Sequence, residues 1–156
     1  MEPGLILVDT NVLVYALNED VPQHRVSRAL LEAALDRRVP LAVVPQVLLE
    51  TYAVLTDRRR VHHPLDPETA WAQVDIYRSH LTVLPVTTDV LDYLETLVKQ
   101  HKPAAQAIYD YFLAAQMYAH GVRTVCTHDV SAFTGLSGLR VETPESLASR
   151  LGLTWT

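Results

Sequence analysis

The chain has 156 residues, 49% of them apolar, which suits a single globular domain over residues 1–156 and argues against intrinsic disorder. Its apolar runs are too short to cross a bilayer, its N-terminus lacks the basic segment of a signal peptide, and its single cysteine, Cys126, excludes an intramolecular disulfide. The formal net charge of −5 argues against a broad basic surface for nucleic acid, and leaves local binding assisted by a metal ion, or a basic protein partner.

In the first half of the chain, short apolar runs alternate with helical patterns. Residues 5–8 (LILV) form the first candidate strand, and the residues after them predict a short helix. Residues 24–38 have apolar side chains at helical spacing and end in two arginines, which suit the negative end of a helix dipole. LAVV at 41–44 is the second candidate strand, and Pro45 suits the first turn of a helix that reaches about Thr56.

The same alternation continues through the second half of the chain. A helix opens with Asp66 as its N-cap and Pro67 in its first turn. Thr88 can cap the next helix, the one after it is predicted over residues 104–120 and ends at Gly121, and Pro144 begins a final one. The remaining candidate strands are residues 81–86, 122–126 and 139–144. Strands alternating with helices of this length predict βαβ units and a five-stranded, mainly parallel sheet with helices on both faces.

Four acidic residues stand alone in apolar surroundings. Asp9 directly follows the first candidate strand and Asp129 follows the fourth, whereas Glu50 and Asp110 lie inside apolar helical segments. A buried lone carboxylate is costly unless a cation or strong hydrogen-bond donors compensate it. Because ligands of open parallel sheets bind at the carboxyl ends of the strands, we expect all four acids to converge there.

Convergence of four carboxylates predicts a divalent cation. The acids would repel one another and raise their pKa values, and a cation reverses that effect. Mg²⁺ and Mn²⁺ prefer oxygen ligands, and they make water a better nucleophile beside a phosphodiester. Each acid taken singly also has an ordinary interpretation, which is a helix cap for Asp9, a turn for Asp129, and an exposed helix position for Glu50 and Asp110.

The acids stand in sequence blocks that resemble the PIN-domain family, and within it the VapC-type toxins of bacterial toxin–antitoxin pairs. LILVDTNVLVYAL resembles the family's opening strand with its Asp-Thr/Ser-Asn turn, and VVPQVLLETYAVLT is similar to its acid-bearing helix. AIYDYFLAAQMYAHGVRTVCTHDVSAF, followed by GLRVETP, resembles the closing half. The ordered set covers essentially the whole chain.

This resemblance implies a fold, a chemistry and a set of site residues. The fold would be a Rossmann-like α/β/α sandwich with a five-stranded parallel sheet, and the activity would be endonucleolytic cleavage of RNA with Mg²⁺ or Mn²⁺, leaving a 3′-hydroxyl and a 5′-phosphate. Matched position by position, the four acids are catalytic metal ligands, and Asn11 and Thr127 are supporting polar residues that orient them.

The resemblance also implies partners. A homodimer is expected, together with an antitoxin whose basic segment would occupy the acidic groove of a chain with low net charge. The lone Cys126 is compatible with a cytoplasmic location.

The closing motif departs from the family's common form at one point. Many members continue after Thr-x-Asp with x-Asp-Phe, whereas HDVSAF places Ser131 at the further acidic position and leaves Asp129 as the only fourth carboxylate. Thr127 and Asp129 are two residues apart, so at an extended strand end they would point the same way. Their neighbour His128 is expected to be a turn or surface residue, since a hard metal among carboxylates does not need imidazole.

One segment is unusually basic for this acidic chain. Residues 56–64 contain Arg58, Arg59 and Arg60, and guanidinium groups bind phosphate with two hydrogen bonds. The three arginines are therefore the predicted nucleic-acid contacts, and the alternative is a solvated loop between helices.

Two other functions remain open at this point. LILVDTN superficially resembles the strand and Asp-x-Asp motif of haloacid-dehalogenase-like phosphatases, but Asn11 replaces the second Asp and no later Lys is followed by an Asp-Asp pair. A phosphoaspartate at Asp9 would identify that class. The other alternative is a non-catalytic PIN-like module that binds RNA or protein, against which the complete set of four acids argues.

Overall fold

The computed structural model describes residues 4–156. The first three residues of the predicted domain, where the N-terminal segment without a signal-peptide pattern begins, lie outside the described residues. Within the described residues the strands are β1 (Ile6–Val8), β2 (Leu41–Val43), β3 (Thr82–Val83), β4 (Thr124–Cys126) and β5 (Arg140–Glu142). The α-helices there are α1 (Thr10–Tyr15), α2 (His24–Leu35), α3 (Pro45–Leu55), α4 (Pro67–His80), α5 (Val90–His101), α6 (Ile108–His120) and α7 (Pro144–Arg150). None of these helices combines the length and apolar character needed to span a membrane.

The strands form one parallel sheet in the order β3-β2-β1-β4-β5. Ile6 pairs with Leu41 on one side of β1, and Leu7 pairs with Val125 on the other. Every neighbouring pair is parallel, and helices cover both faces, so the predicted five-stranded α/β/α sandwich is confirmed. From β1 the chain adds β2 and β3 on one side of the sheet, and then β4 and β5 on the other side. In such folds the point between β1 and β4 where the order switches opens a crevice at the carboxyl ends of the strands.

The central strands are apolar along their whole length because both of their faces are covered. All three residues of β1 and all three of β2 are buried, which is the continuous apolar pattern typical of parallel sheets. Leu7 and Val43 are fully buried at the centre of the core. The sheet is therefore a rigid base for whatever lies at its carboxyl edge.

Local signals fix most of the helix starts. The Asp66 side chain accepts a hydrogen bond from Thr69 N at 3.0 Å, as its predicted N-cap role requires. Pro45 and Pro144 occupy the first turns of α3 and α7. Gly121 ends α6 in the left-handed conformation, with φ 66°.

Three predicted helix bounds differ from the structure. The helix predicted over 24–38 stops at Leu35, because Arg37 turns left-handed (φ 59°) and Arg38 N bonds back to Ala33 O at 2.8 Å. The helix predicted from Thr88 begins after Asp89 instead. The chain before α6 forms a separate 3₁₀ turn, in which Ala105 has φ 51°.

Candidate active site

The four predicted acids line one cleft at the carboxyl edge of the sheet. The cleft has a volume of about 500 Å³, and Asp9, Glu50, Asp110 and Asp129 all contribute to its wall. Asp9 follows β1 and caps α1, while Asp129 follows β4 and precedes a 3₁₀ turn. Glu50 is carried by α3, and Asp110 lies in the first turn of α6. The cleft thus opens at the β1–β4 switch point, where the fold predicts a ligand site.

Asp9 is both a helix cap and a cleft residue. Its Oδ1 accepts from Thr10 N at 2.8 Å, and its Oδ2 accepts from Thr127 Oγ1 at 2.8 Å. Burial raises the pKa of Asp9, the hydrogen bonds from Thr127 and Thr10 oppose that shift, and the charges of Asp110 and Glu50 add to it. Asp9 therefore combines the helix-cap role with a place in the cleft, so the two interpretations of this residue do not exclude each other.

Thr127 joins the loops that follow β1 and β4. The side chain is fully buried, and its Oγ1 accepts from Asn11 Nδ2 at 3.1 Å and from Asp129 N at 3.0 Å while it donates to Asp9. Asn11 Oδ1 accepts from His128 N at 3.0 Å. Thr127 and Asn11 thus have the carboxylate-orienting contacts expected of supporting residues, and their effect on catalysis stays a prediction.

Glu50 is held at both carboxylate oxygens. Oε2 accepts from Thr10 Oγ1 at 2.9 Å, and Oε1 accepts from Gln46 Nε2 at 3.0 Å. Thr10 and Gln46 had no predicted role. Gln46 stands four residues before Glu50, a spacing at which helical side chains meet, so this contact had a visible sequence signal.

Asp110 and Asp129 are exposed at the cleft. Partial desolvation raises the pKa of Asp110, and the charges of Asp129 and Glu50 raise it further. The expected extended path from Thr127 to Asp129 is wrong, because the chain bends at His128 and the Asp129 amide turns back to Thr127 Oγ1. Asp129 lines the cleft nevertheless, and its Oδ1 accepts from Ser131 Oγ at 2.7 Å.

The chemistry of this donor set fits Mg²⁺ or Mn²⁺. All four acidic side chains present hard oxygen ligands. Burial first, and the charges of neighbouring acids second, raise the pKa values of Asp9 and Asp110, and a bound cation would oppose both shifts. Within residues 4–156, no three Asp, Glu, His or Cys side chains are grouped closely enough to enclose an ion. Mg²⁺ typically takes one or two carboxylates and keeps several waters, so a closed protein cage is not required.

The three predicted arginine contacts divide between two surfaces. Arg60 lines the acidic cleft and is the one cationic side chain among its described lining residues. Arg58 and Arg59 border a separate depression, and Arg59 Nε pairs with Asp57 Oδ1 at 3.1 Å. All three side chains are exposed, and of the three only Arg60 lines the cleft that the acids line.

His128 lies at a bend, as expected, but it is half-buried rather than on the surface. Its Nε2 lies 2.8 Å from Ser27 Oγ, and its ring packs against Tyr15 with centroids 5.1 Å apart. Burial lowers the pKa of His128. The ring therefore anchors the Asp129 loop to α2, and its burial disfavours the charged form.

The PIN domain family matches residues 6–134 of the chain. This chain belongs to the PIN domain family. The match removes the haloacid-dehalogenase-like alternative and confirms the resemblance seen in the sequence blocks.

Relatives of this PIN domain include several ribonucleases. Ribonuclease VapC24 of Mycobacterium tuberculosis is 30% identical over 141 residues, which cover 90% of this chain and 97% of the relative. Ribonuclease VapC48 of the same species is 26% identical over 140 residues, covering 88% of this chain and 96% of the relative.

Solved structures agree on the fold. VapBC2 from Rickettsia felis, bound to a DNA fragment from its promoter, has a TM-score of 0.65 at 20% identity and covers 90% of this chain and 98% of that chain. Mycobacterium tuberculosis VapC20, a sarcin–ricin loop cleaving toxin, has a TM-score of 0.62 at 20% identity and covers 86% and 98%.

Proposed function

We propose that this PIN domain protein is a VapC-type toxin of a toxin–antitoxin pair, an endoribonuclease that uses Mg²⁺ or Mn²⁺ to hydrolyse RNA. The observation that carries the proposal is the convergence of Asp9, Glu50, Asp110 and Asp129 in one cleft at the switch point of the sheet. Relatives named VapC ribonucleases, matched over nearly their whole length, support the same activity.

In this mechanism the protein supplies negative charge, orientation and one phosphate contact. Asp9 and Glu50 enter the cleft in fixed orientations, because both oxygens of each carboxylate accept hydrogen bonds. A divalent cation, when bound by the acids, neutralises the phosphodiester and makes water a stronger nucleophile. Arg60 binds the phosphate beside the acids. Hydrolysis adds water at phosphorus and breaks the bond to O3′, which leaves a 3′-hydroxyl and a 5′-phosphate.

Protein nucleophiles have no part in this scheme. Ser27 is fully buried against His128, and Cys126 is buried with its thiol pKa raised by desolvation. Neither group is accessible to a phosphodiester in the cleft. A water nucleophile therefore agrees with the placement of both side chains.

Cleavage of RNA by the purified protein tests the proposal. Wild-type protein should cut RNA internally in Mg²⁺ or Mn²⁺ and should stop when EDTA is added. Asp9→Asn should lower the cleavage rate at least about a hundredfold, since an amide keeps the shape but loses the charge that binds metal. The matched control is Asp92→Asn, an exposed acid in the first turn of α5. Wild-type activity in Asp9→Asn, or undiminished activity in EDTA, would contradict the proposal.

The proposal includes partners and a location. An antitoxin with a basic segment suits a cleft walled by four acids, and several similar solved structures are toxin–antitoxin complexes, among them one from Klebsiella pneumoniae. A homodimer is proposed as well, and light scattering of the isolated chain tests it. The cytoplasm is the proposed location, because it holds RNA and keeps a thiol such as Cys126 reduced.

A further inference from the structure

Two glutamines outside the cleft, Gln46 and Gln116, form a chain of hydrogen bonds that ends on Glu50. Gln46 lies one helical turn before Glu50 on α3, and its Nε2 donates to Glu50 Oε1 at 3.0 Å. Gln46 Oε1 accepts from Gln116 Nε2, on α6, at 2.9 Å. By hydrogen bonds, Gln116 therefore reaches Glu50 through Gln46.

The direction of each amide in this chain is fixed by the acceptors around it. Gln46 Nε2 also donates to the Tyr109 carbonyl at 3.1 Å, so both of its hydrogens face oxygen atoms and its Oε1 must face Gln116. Gln116 therefore presents its Nε2, which also lies 3.4 Å from the Phe112 carbonyl. Turning either amide over would set two oxygen acceptors against each other, so one arrangement satisfies the contacts.

This arrangement has a cost at Gln116. Its side chain is 1% exposed, and its Oε1 has no hydrogen-bond partner in the described part of the chain. A buried acceptor without a partner destabilises the folded state, and an apolar side chain of similar length would avoid that penalty. Gln116 is a polar side chain in the core that lowers stability. This cost points to a role at the other end of the series of hydrogen bonds, which is Glu50.

Gln46 also links Glu50 to the helix that carries Asp110. Tyr109 directly precedes Asp110, so the bond from Gln46 to the Tyr109 carbonyl joins the acid of α3 to the first turn of α6. Thr10 holds the opposite oxygen of Glu50 from α1. The orientation of Glu50 and its spacing from Asp110 therefore depend on Gln46.

We propose that Gln46 and Gln116 are positioning residues that hold Glu50 toward the cleft at a fixed spacing from Asp110, and that they thereby set the affinity of the cleft for Mg²⁺ or Mn²⁺. This inference rests on the proposed function. Removing groups that orient metal-binding side chains typically costs about ten- to a hundredfold in metal affinity or activity.

Calorimetric titration of the metal-free protein with Mn²⁺ tests this inference, and the melting temperature in EDTA is the second readout. Gln46→Ala should raise the Kd for Mn²⁺ about tenfold or more. Gln116→Met should do the same while its metal-free melting temperature stays equal to or above that of the wild type, because the unpartnered acceptor is gone. A merely structural Gln116 would instead give a lower melting temperature and an unchanged Kd. Gln100→Ala, exposed on α5, is the matched control and should bind Mn²⁺ like the wild type.

The double variant gives the sharpest outcome. Because Gln116 reaches Glu50 only through Gln46, Gln116→Met should add nothing to the Kd of Gln46→Ala. Independent, multiplying effects would overturn the inference. Single variants that fold and bind Mn²⁺ with the wild-type Kd would overturn the inference too. In that case RNA cleavage and Mn²⁺ binding by the wild type would still support the proposed function. Wild-type protein that bound no Mn²⁺ would overturn both.

Discussion

The Asp9 side chain both caps α1 and places a carboxylate in the cleft, and these two roles respond differently to pH. Its folded-state pKa is raised above the ordinary 3.8, chiefly by burial, so the folded protein holds that proton more tightly than the unfolded chain does. The contribution of Asp9 to stability is therefore fully present below 3.8 and is lost as pH rises through the raised folded pKa. The capping bond from Thr10 N, in contrast, needs an oxygen in either protonation state.

The first prediction follows for metal-free protein. The stability of Asp9→Asn relative to the wild type should increase as pH rises above 3.8, because the substituted side chain has no charge to bury. Denaturant unfolding in EDTA at a series of pH values measures this difference. The pH slope is the diagnostic quantity, since an amide has one oxygen where the carboxylate uses two, and the absolute stability also reflects that loss. A difference that decreased with pH would refute the prediction.

Asp129 and Ser131 give the second prediction at this scale. Ser131 is exposed and donates to Asp129 Oδ1, so it steadies the carboxylate without replacing it. Asp129→Ala should weaken Mn²⁺ binding or lower turnover about ten- to a hundredfold, whereas Ser131→Ala should change either by only about threefold or less. Calorimetry and RNA cleavage measure the two effects. Equal damage from both substitutions would show that the fourth ligand had been assigned to the wrong position.

At the scale of elements, the segment after α3 turns one arginine toward the cleft and two away from it. Arg60→Ala should weaken RNA binding and reduce its salt slope by about one, because one phosphate contact is lost. Substituting Arg58 and Arg59 together should change either quantity much less, since they border another depression. Fluorescence anisotropy in the Asp9→Asn background, in which cleavage of the RNA should be slowed, measures both. If the pair mattered more than Arg60, the RNA path would lie outside the cleft.

Sequence patterns predicted the elements where a local signal existed. The buried strands β1 and β2 were visible as short apolar runs, and prolines fixed the starts of α3, α4 and α7. The early end of α2 was not predictable, because Arg37 adopts a left-handed conformation that glycine or asparagine usually signals. Non-glycine residues at positive φ give no such warning.

The site, like the elements, was predictable only where a local sequence signal existed. Asp9 and Asp129 follow strands, so the sheet edge brought them together in the prediction as in the structure. The bond between Gln46 and Gln116 joins residues 70 apart in sequence, and no periodic pattern encodes such a contact. Likewise, only the path of the chain beyond α3 separates Arg60 from Arg58.

For the whole molecule, metal binding should appear as added stability. A ligand that binds only the folded state stabilises it by about 2.7 kcal/mol at a hundred times its Kd. Mn²⁺ should therefore raise the melting temperature of the wild type and raise that of Asp9→Asn far less. Differential scanning calorimetry with and without Mn²⁺ measures the shifts, and Ca²⁺-free buffer with EDTA gives the baseline. Equal shifts in the two proteins would place the ion elsewhere.

Because β1 pairs with β4, the cleft can form only after both strands have been translated. Asp9 follows the first strand and Asp129 follows the fourth, and the cleft between them exists only after Leu7 has paired with Val125. Parallel pairings between strands so far apart in sequence form slowly, because a long loop must be closed first. A nascent chain on the ribosome that has not yet released β4 therefore has no cleft, so the ribosome is not exposed to this cleft until β4 has been translated and released.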